Sequence, residues 1–274
     1  MQLTIKHPFL CLPVVSHPKD TRVLKLFDGE KLLLCVYFPF GEAAADNGTY
    51  SYEYLSPLPV SEWMGRTLTL SAEFPAGFED AVTQTDELPV SGEVHPAVHF
   101  TANAGWINDP NGLVYDNGTY HLYYQHNPFG VNWNNMSWGH ATSTDLLHWT
   151  RLPVAMLPDE EGTIFSGCGL TNEHRDEIQA AADSNLYRSL PKDALLFFYT
   201  AAGGSHDSAC SEGKDYTQHT AYSTDHGLTL QKLPGAVVPF LKTDNRDPKV
   251  YWHEKSKAFI MSLYLKGTEY AILR

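Results

Sequence analysis

A five-residue run, Ala141-Thr-Ser-Thr-Asp145, returns 80 residues later as Ala221-Tyr-Ser-Thr-Asp225, and the pair Leu152-Pro153 returns 81 residues on as Leu233-Pro234. Two matches at nearly one offset mean that the chain repeats a structural unit, which restricts its fold more than composition can. An aromatic-rich, β-prone stretch precedes each run, His121–Gln125 in the first unit and Leu195–Thr200 in the second. A third such stretch, Phe259–Leu265, is followed by Glu269–Arg274 in the place of the strand that ends in Ser-Thr-Asp. Sets of strands that end in a loop, with the next set starting afresh, are the signature of β-propeller blades. The repeat predicts about three blades, fewer than the four to eight of a closed propeller. Because the sequence stops inside its third unit, a truncated propeller with an unpaired sheet edge is expected.

Residues 1–92 read differently. Short apolar stretches (Val23–Phe27, Lys31–Phe38, Tyr50–Tyr54, Thr67–Phe74) alternate with the separators Asp28-Gly29, Gly41–Gly48 and Pro57–Pro59. Such spacing predicts a small all-β sandwich that carries no reactive constellation, a helper domain or, less simply, a sugar-binding module. The two prolines and the glycine of Asp86–Pro96 mark the linker to a second domain at 97–274. The expected fold is therefore all-β, a small N-terminal β-sandwich followed by an incomplete β-propeller.

Charge and cysteine usage exclude several functions. With a net charge of −13 and no cluster of Lys and Arg, the chain is not a nucleic-acid binder. It lacks an apolar run long enough to span a membrane. Its first residues lack the features of a signal peptide, so a cytoplasmic location is the default expectation. Cys11, Cys35, Cys168 and Cys210 show no C-x-x-C spacing and are read as buried free thiols, a disulfide remaining open. No metal site is expected, and oligomeric state is not legible. Asn47, Asn117 and Asn135 head glycosylation patterns, of which the Asn-Gly pairs read better as hairpin turns.

The chemistry concentrates in Gly105-Trp-Ile-Asn-Asp-Pro-Asn-Gly112. Pro110 steers Asp109 away from the right-handed helical region, so an extended Asp109 is expected, followed by a turn at Pro110-Asn111-Gly112. A fixed carboxylate between the amides of Asn108 and Asn111, beside the Trp106 indole, suits a polyhydroxylated ring. Asp247, in Arg246-Asp-Pro-Lys249, also precedes a proline and is expected to be extended, with Arg246 lowering its pKa. Two such aspartates on adjacent blades would face one pocket, and paired carboxylates are what glycoside hydrolysis uses. Gln125, Ser166 and Asn108 offer polar groups, Trp133 and Phe165 an apolar wall. Trp138 reads equally as core or contact, and His140 and His148 as structural.

Taken in order, the Asn-Asp-Pro-Asn-Gly run, Tyr120–Pro128, Trp133–Trp149, Ile164-Phe-Ser-Gly167 and Arg246-Asp-Pro-Lys249 resemble glycoside hydrolase family 32, the invertases, inulinases and levanases. The resemblance covers roughly residues 97–274 and implies a five-bladed propeller and a retaining reaction on terminal β-fructofuranosyl units of levan, inulin or sucrose, with no cofactor. It implies Asp109 as nucleophile, Asp247 as transition-state stabiliser, and Asn108, Gln125, Trp133, Phe165, Ser166 and Arg246 around the sugar. The family's acid/base glutamate lies in a Glu-Cys pair that is absent here, and neither Glu254 nor Glu269 takes its place. A transferase using the same intermediate and a non-catalytic fructan-binding propeller fragment therefore remain open, as does an inverting glycosidase of another propeller family.

Overall fold

The computed structural model describes residues 1–42, 49–89, 96–178, 185–204, 209–242 and 244–274, with backbone only at 185 and 186. Asn47 and residues 90–95 of the expected linker lie outside the described residues. The molecule is all-β, with two short α-helices, Phe78–Ala81 and Asn185–Ser189, among the described residues. Among the described residues, no helix is long and apolar enough to cross a membrane.

Before the first motif come β1 (Gln2–Thr4), β2 (Phe9–Val14), β3 (Asp20–Asp28), β4 (Lys31–Phe40), β5 (Tyr54–Pro59), β6 (Thr67–Ser71) and β7 (Thr83–Thr85). They form one antiparallel sheet of order β1-β6-β3-β4 and another of order β5-β2-β7. Period-two burial turns Leu34, Val36, Phe38 and Phe40 of β4 to a shared core with Leu24, Leu26, Leu68 and Leu70. Leu10, Leu12 and Leu58 join it from the other sheet, and the Phe78 ring stands edge-on to Phe38 and Phe40. The strand expected at Tyr50–Tyr54 is instead β5, and it contains the Pro57–Pro59 segment read as a separator. At the edge of its sheet β5 has one partner, so a proline whose missing N–H faces outward removes no ladder bond.

Three meanders follow. The first holds β8 (Trp106–Asp116), β9 (Thr119–Asn127), β10 (Ser137–Ser143) and β11 (Thr150–Met156). The second holds β12 (Thr163–Thr171), β13 (Leu195–Ala202), β14 (Tyr216–Ser223) and β15 (Gln231–Lys232), and the third β16 (Arg246–His253), β17 (Ala258–Lys266) and β18 (Glu269–Leu273). Strand order within each sheet follows chain order, as in propeller blades, and β12 packs against both other first strands, β8 and β16. The unbroken apolar run of β13 has two audiences. Leu195, Phe197 and Tyr199 meet Tyr123 and Trp138 of the first sheet, while Leu196 and Phe198 meet Val250 and Met261 of the third.

The repeated run has one local job in both units. The Ser143 hydroxyl accepts the backbone N–H of Asp145 and Leu146, and that of Ser223 accepts those of Asp225 and Gly227. Each aspartate then accepts N–H groups further on, of Leu147 and His148 or of Thr229. The residue after each aspartate, Leu146 or His226, has positive φ. β18 takes the third-strand place assigned to Glu269–Arg274. Asn117 and Gly118 form the β8–β9 hairpin with positive φ, as the Asn-Gly pair predicts.

The cysteine reading needs correction. Cys35 and Cys210 form a disulfide across 175 residues, whereas Cys11 and Cys168 are buried and free. Nothing in local spacing reveals a bond between partners that only the tertiary fold brings together.

Candidate active site

The first strands of all three meanders are irregular at corresponding places. β8 shifts register between Ile107 and Pro110, β12 between Ile164 and Gly167, and β16 between Arg246 and Lys249. A bulge releases residues from the ladder and re-aims their side chains. The residues released are Asn108-Asp109, Phe165-Ser166 and Asp247-Pro248.

All eight predicted site residues, Asn108, Asp109, Gln125, Trp133, Phe165, Ser166, Arg246 and Asp247, line one cavity of about 630 Å³. The expected turn at Pro110-Asn111-Gly112 does not form, because β8 continues to Asp116 with a second shift between Asn111 and Val114. Gly112 has positive φ, and a Cβ there would press on the rings of Tyr123 and Trp138. Asn111 is buried and bridges backbone, donating to the Asp109 carbonyl (3.3 Å) and accepting from the Gly167 N–H (3.2 Å). It thereby stitches β8 to β12 beside Asp109.

The Ser166 hydroxyl donates to Asp109 Oδ2 at 3.2 Å, leaving the carboxylate's other oxygen to a ligand. Trp106 Nε1 donates to Asn108 Oδ1 at 2.7 Å and orients that amide. Buried Gln125 gives its Nε2 to the Ile164 carbonyl at 2.9 Å, so its oxygen is the end available to the cavity. Trp133 stands edge-on to Phe165 (centroids 5.9 Å), which in turn stands edge-on to Tyr216 (5.7 Å). These three rings make a wall suited to the apolar face of a sugar. Trp138 belongs to the core, fully buried, with Nε1 donating to the Phe165 carbonyl.

Asp247 departs from expectation twice. Its φ is 60°, left-handed rather than extended. The residue before proline is barred from the right-handed helical region, and the left-handed one satisfies that bar as well. Here the Asp247 N–H is held by Thr200 Oγ1 at 3.2 Å. Its carboxyl also titrates above its ordinary value, because desolvation in the cavity outweighs Arg246, 3.3 Å away, and nearby Asp109 adds repulsion. With 47% of the side chain open to water, solvent tempers the shift. Nor do the two aspartates sit on adjacent sheets, since β12 of the second meander lies between β8 and β16. Arg246 also lies over the Tyr264 ring at 4.8 Å, which fixes its guanidinium at the rim.

Met136, Gly204, Tyr216 and Asp244 line the cavity as well and were not foreseen. The 80-residue offset that defines the repeat carries Met136 onto Tyr216, so these two take equivalent places in successive units, although neither matched a motif.

The profile of the Glycosyl hydrolases family 32 N-terminal domain matches residues 99–272. The chain belongs to glycosyl hydrolase family 32. A levanase of Bacillus subtilis (strain 168) is 40% identical over 199 residues, covering 72% of this chain and 26% of the relative. A fructan beta-fructosidase of Streptococcus mutans serotype c is 36% identical over 202 residues, covering 72% of this chain and 13% of the relative. Among solved structures, a β-fructofuranosidase from Schwanniomyces occidentalis complexed with fructosyl-erythritol matches at 34% identity and TM-score 0.48, over 62% of this chain and 31% of that one. The chain thus spans about a quarter or less of the curated relatives just described.

Within this family 32 chain, no glutamate lines the cavity among the described residues. Glu254 accepts from Trp252 Nε1 and pairs with Lys257, and Glu269 pairs with Lys242. Of the glycosylation patterns, that at Asn135 falls on a buried side chain bonded to both backbone groups of Tyr37.

Proposed function

We propose that this chain carries the fructosyl-binding and nucleophilic part of a retaining glycosidase acting on terminal β-D-fructofuranosyl units of fructans or sucrose. One observation carries the reading: Asp109 and Asp247 share one cavity with aligned amides and an aromatic wall. On this reading residues 1–92 form a sandwich domain and residues 97–274 the propeller portion. Asp109 attacks the anomeric C2 with the oxygen that Ser166 does not bind, the bond from C2 to the leaving oxygen breaks, and that oxygen takes a proton from a general acid that the described cavity lining does not supply. Asp247 accepts hydrogen bonds from sugar hydroxyls and strengthens them as positive charge grows on the ring. Asn108 and Gln125 read other hydroxyls, Trp133 and Phe165 cover the apolar face, and Arg246 holds the rim. The chemistry is that of carboxylates and sugar alone and calls for no cofactor. Water completes hydrolysis; a sugar acceptor would make the same intermediate a transferase.

The lack of a cavity glutamate favours a second reading, a fructan-binding module without turnover. A donor whose leaving group needs no protonation separates the two. β-D-Fructofuranosyl fluoride should leave one anhydrofructose unit on the Asp109 peptide, detected by mass spectrometry, and none in Asp109→Asn. Calorimetric binding of fructose without any adduct would establish the binding module and sink the nucleophile.

A further inference from the structure

One strand of the sandwich, β4, is tied to two segments that carry cavity-lining residues. Tyr37 of β4 gives its N–H to Asn135 Oδ1 (3.0 Å) and takes Asn135 Nδ2 on its carbonyl (2.9 Å), a two-point bracket on a fully buried amide. Two residues earlier in β4, Cys35 is bonded to Cys210. The partners of these ties belong to the two segments that supply the aromatic wall. Asn135 lies between Trp133 and Met136, both of which line the cavity. Cys210 lies in the connection from β13 to β14, between Gly204 and Tyr216, which line it too. The first segment is also pinned at its start, where Phe129 is buried in the sandwich core and Tyr54 Oη donates to the Pro128 carbonyl at 3.2 Å. Trp133, nearly half exposed, therefore projects from a loop fastened to the sandwich on either side.

We propose that the N-terminal sandwich is a positioning module, with β4 as the brace that sets the spacing of the two outer rings of the cavity's aromatic wall, Trp133 in 133–136 and Tyr216 in 209–216. Fastening both segments to one strand limits how far Trp133 and Tyr216 can drift from Phe165, which touches both rings. A wall fixed before the ligand arrives does not have to be ordered on binding. Because one of the two ties is a disulfide, the brace is also open to reduction. The proposal rests on the reading of the cavity as a fructosyl site for its ligand, although not for its geometry.

The test uses the whole chain, with fructose as probe. Three forms are compared: native, Cys35→Ser/Cys210→Ser, and Asn135→Ala. Hydrogen exchange without ligand should quicken in 209–216 for the disulfide variant and in 128–136 for Asn135→Ala, with the Leu68 and Leu70 amides of β6 unchanged. Calorimetric fructose affinity should weaken by about tenfold in each, the effect of one lost wall contact. In the native chain, reduction should reproduce the first variant, and reoxidation should restore it. Unchanged exchange in both segments, or quickened exchange with native affinity, overturns the brace. If the native chain binds no fructose, the fructosyl reading fails and the brace is decided by exchange alone. Should a variant not fold, acrylamide quenching of native-minus-Trp133→Phe emission before and after reduction replaces it. Rising quenching supports the brace, and constant quenching overturns it.

Discussion

In the sandwich, Leu24, Val36, Phe38, Phe40 and Phe78 close an apolar core, and Ser56 is the one buried polar side chain among the described residues before Asn111. The meanders bury Asn111, His121, Gln125, Thr200, Gln218 and Asn245 among their apolar residues. Several of those polar groups hold the bulges that carry the site. Asn111 joins β8 to β12, Gln125 holds Ile164, and Thr200 holds Asp247. An apolar core tolerates a range of packings with similar energy, whereas a buried hydrogen bond must be made in one geometry or lost. The sandwich is therefore built for cohesion and the meanders for placing atoms, and substitutions should separate the two.

The largest separation should come from Asp109→Asn. The amide is nearly isosteric but cannot form the ester, so fructose release from β-D-fructofuranosyl fluoride should fall by ~10³-fold or more. The thermal midpoint should not move. Activity within tenfold of native would remove Asp109 from the chemistry.

Leu68→Ala in β6 is the converse. Leu68 is fully buried, and truncation should cost about 2–5 kcal/mol in urea unfolding. Fructose affinity of the folded fraction should hold, since the bracket on Asn135 and the disulfide to Cys210 both run from β4 and not from β6. A loss of affinity matching the loss of stability would show that the two regions cannot be separated.

Much of this contrast was written in the sequence. The 80-residue repeat located the meanders, and five short stretches named eight residues that the fold gathers into one cavity. What stayed hidden has a common cause. The disulfide, the bracket on Asn135 and the Thr200 bond to Asp247 join residues far apart in sequence, and no local pattern encodes them. The proline rule for Asp247 named the region it must avoid but not which alternative it takes. The bulges left a faint trace in Gly112 and Gly167, where a Cβ would strike a neighbouring ring or the Phe198 carbonyl. The prolines of β5 misled because proline reads as a turn unless edge position is known.

Acid should reach the two regions in different order. Burial pushes His126 down to about 4 and His140 to about 3, and lowers His121 as well, all in the first meander. The sandwich buries no histidine among its described residues. A lowered histidine contributes stability that is whole above the unfolded value of 6.5 and is lost as pH falls toward the folded value. For His126 that amounts to roughly 3 kcal/mol, lost between pH 6.5 and 4. Peptide-resolved exchange over this window should show β9 and β10 losing protection before β3 and β6. The reverse order would mean that the buried histidines do not govern acid sensitivity.

The smallest effect is also the most specific to the meanders' way of building. Thr200 Oγ1 accepts from the Asp247 N–H and donates to Gln218 Oε1 at 2.6 Å, and Gln218 Nε2 passes on to the Asn245 carbonyl at 2.8 Å. Thr200, Gln218 and Asn245 are fully buried, so the chain has no water to fall back on. Thr200→Val keeps the shape and removes both bonds, leaving Gln218 Oε1 without its donor and the left-handed Asp247 without its restraint. The stability cost should be about 1–3 kcal/mol. On the role proposed for Asp247, misplacing its carboxylate should depress turnover more than it weakens fructose binding, since its bonds would tighten as charge develops. Thr200→Ser, which retains the hydroxyl, should recover turnover even where it does not recover stability. Equal losses in Thr200→Val and Thr200→Ser would reduce Thr200 to a packing residue, and the polar network would then hold the meanders together without aiming Asp247.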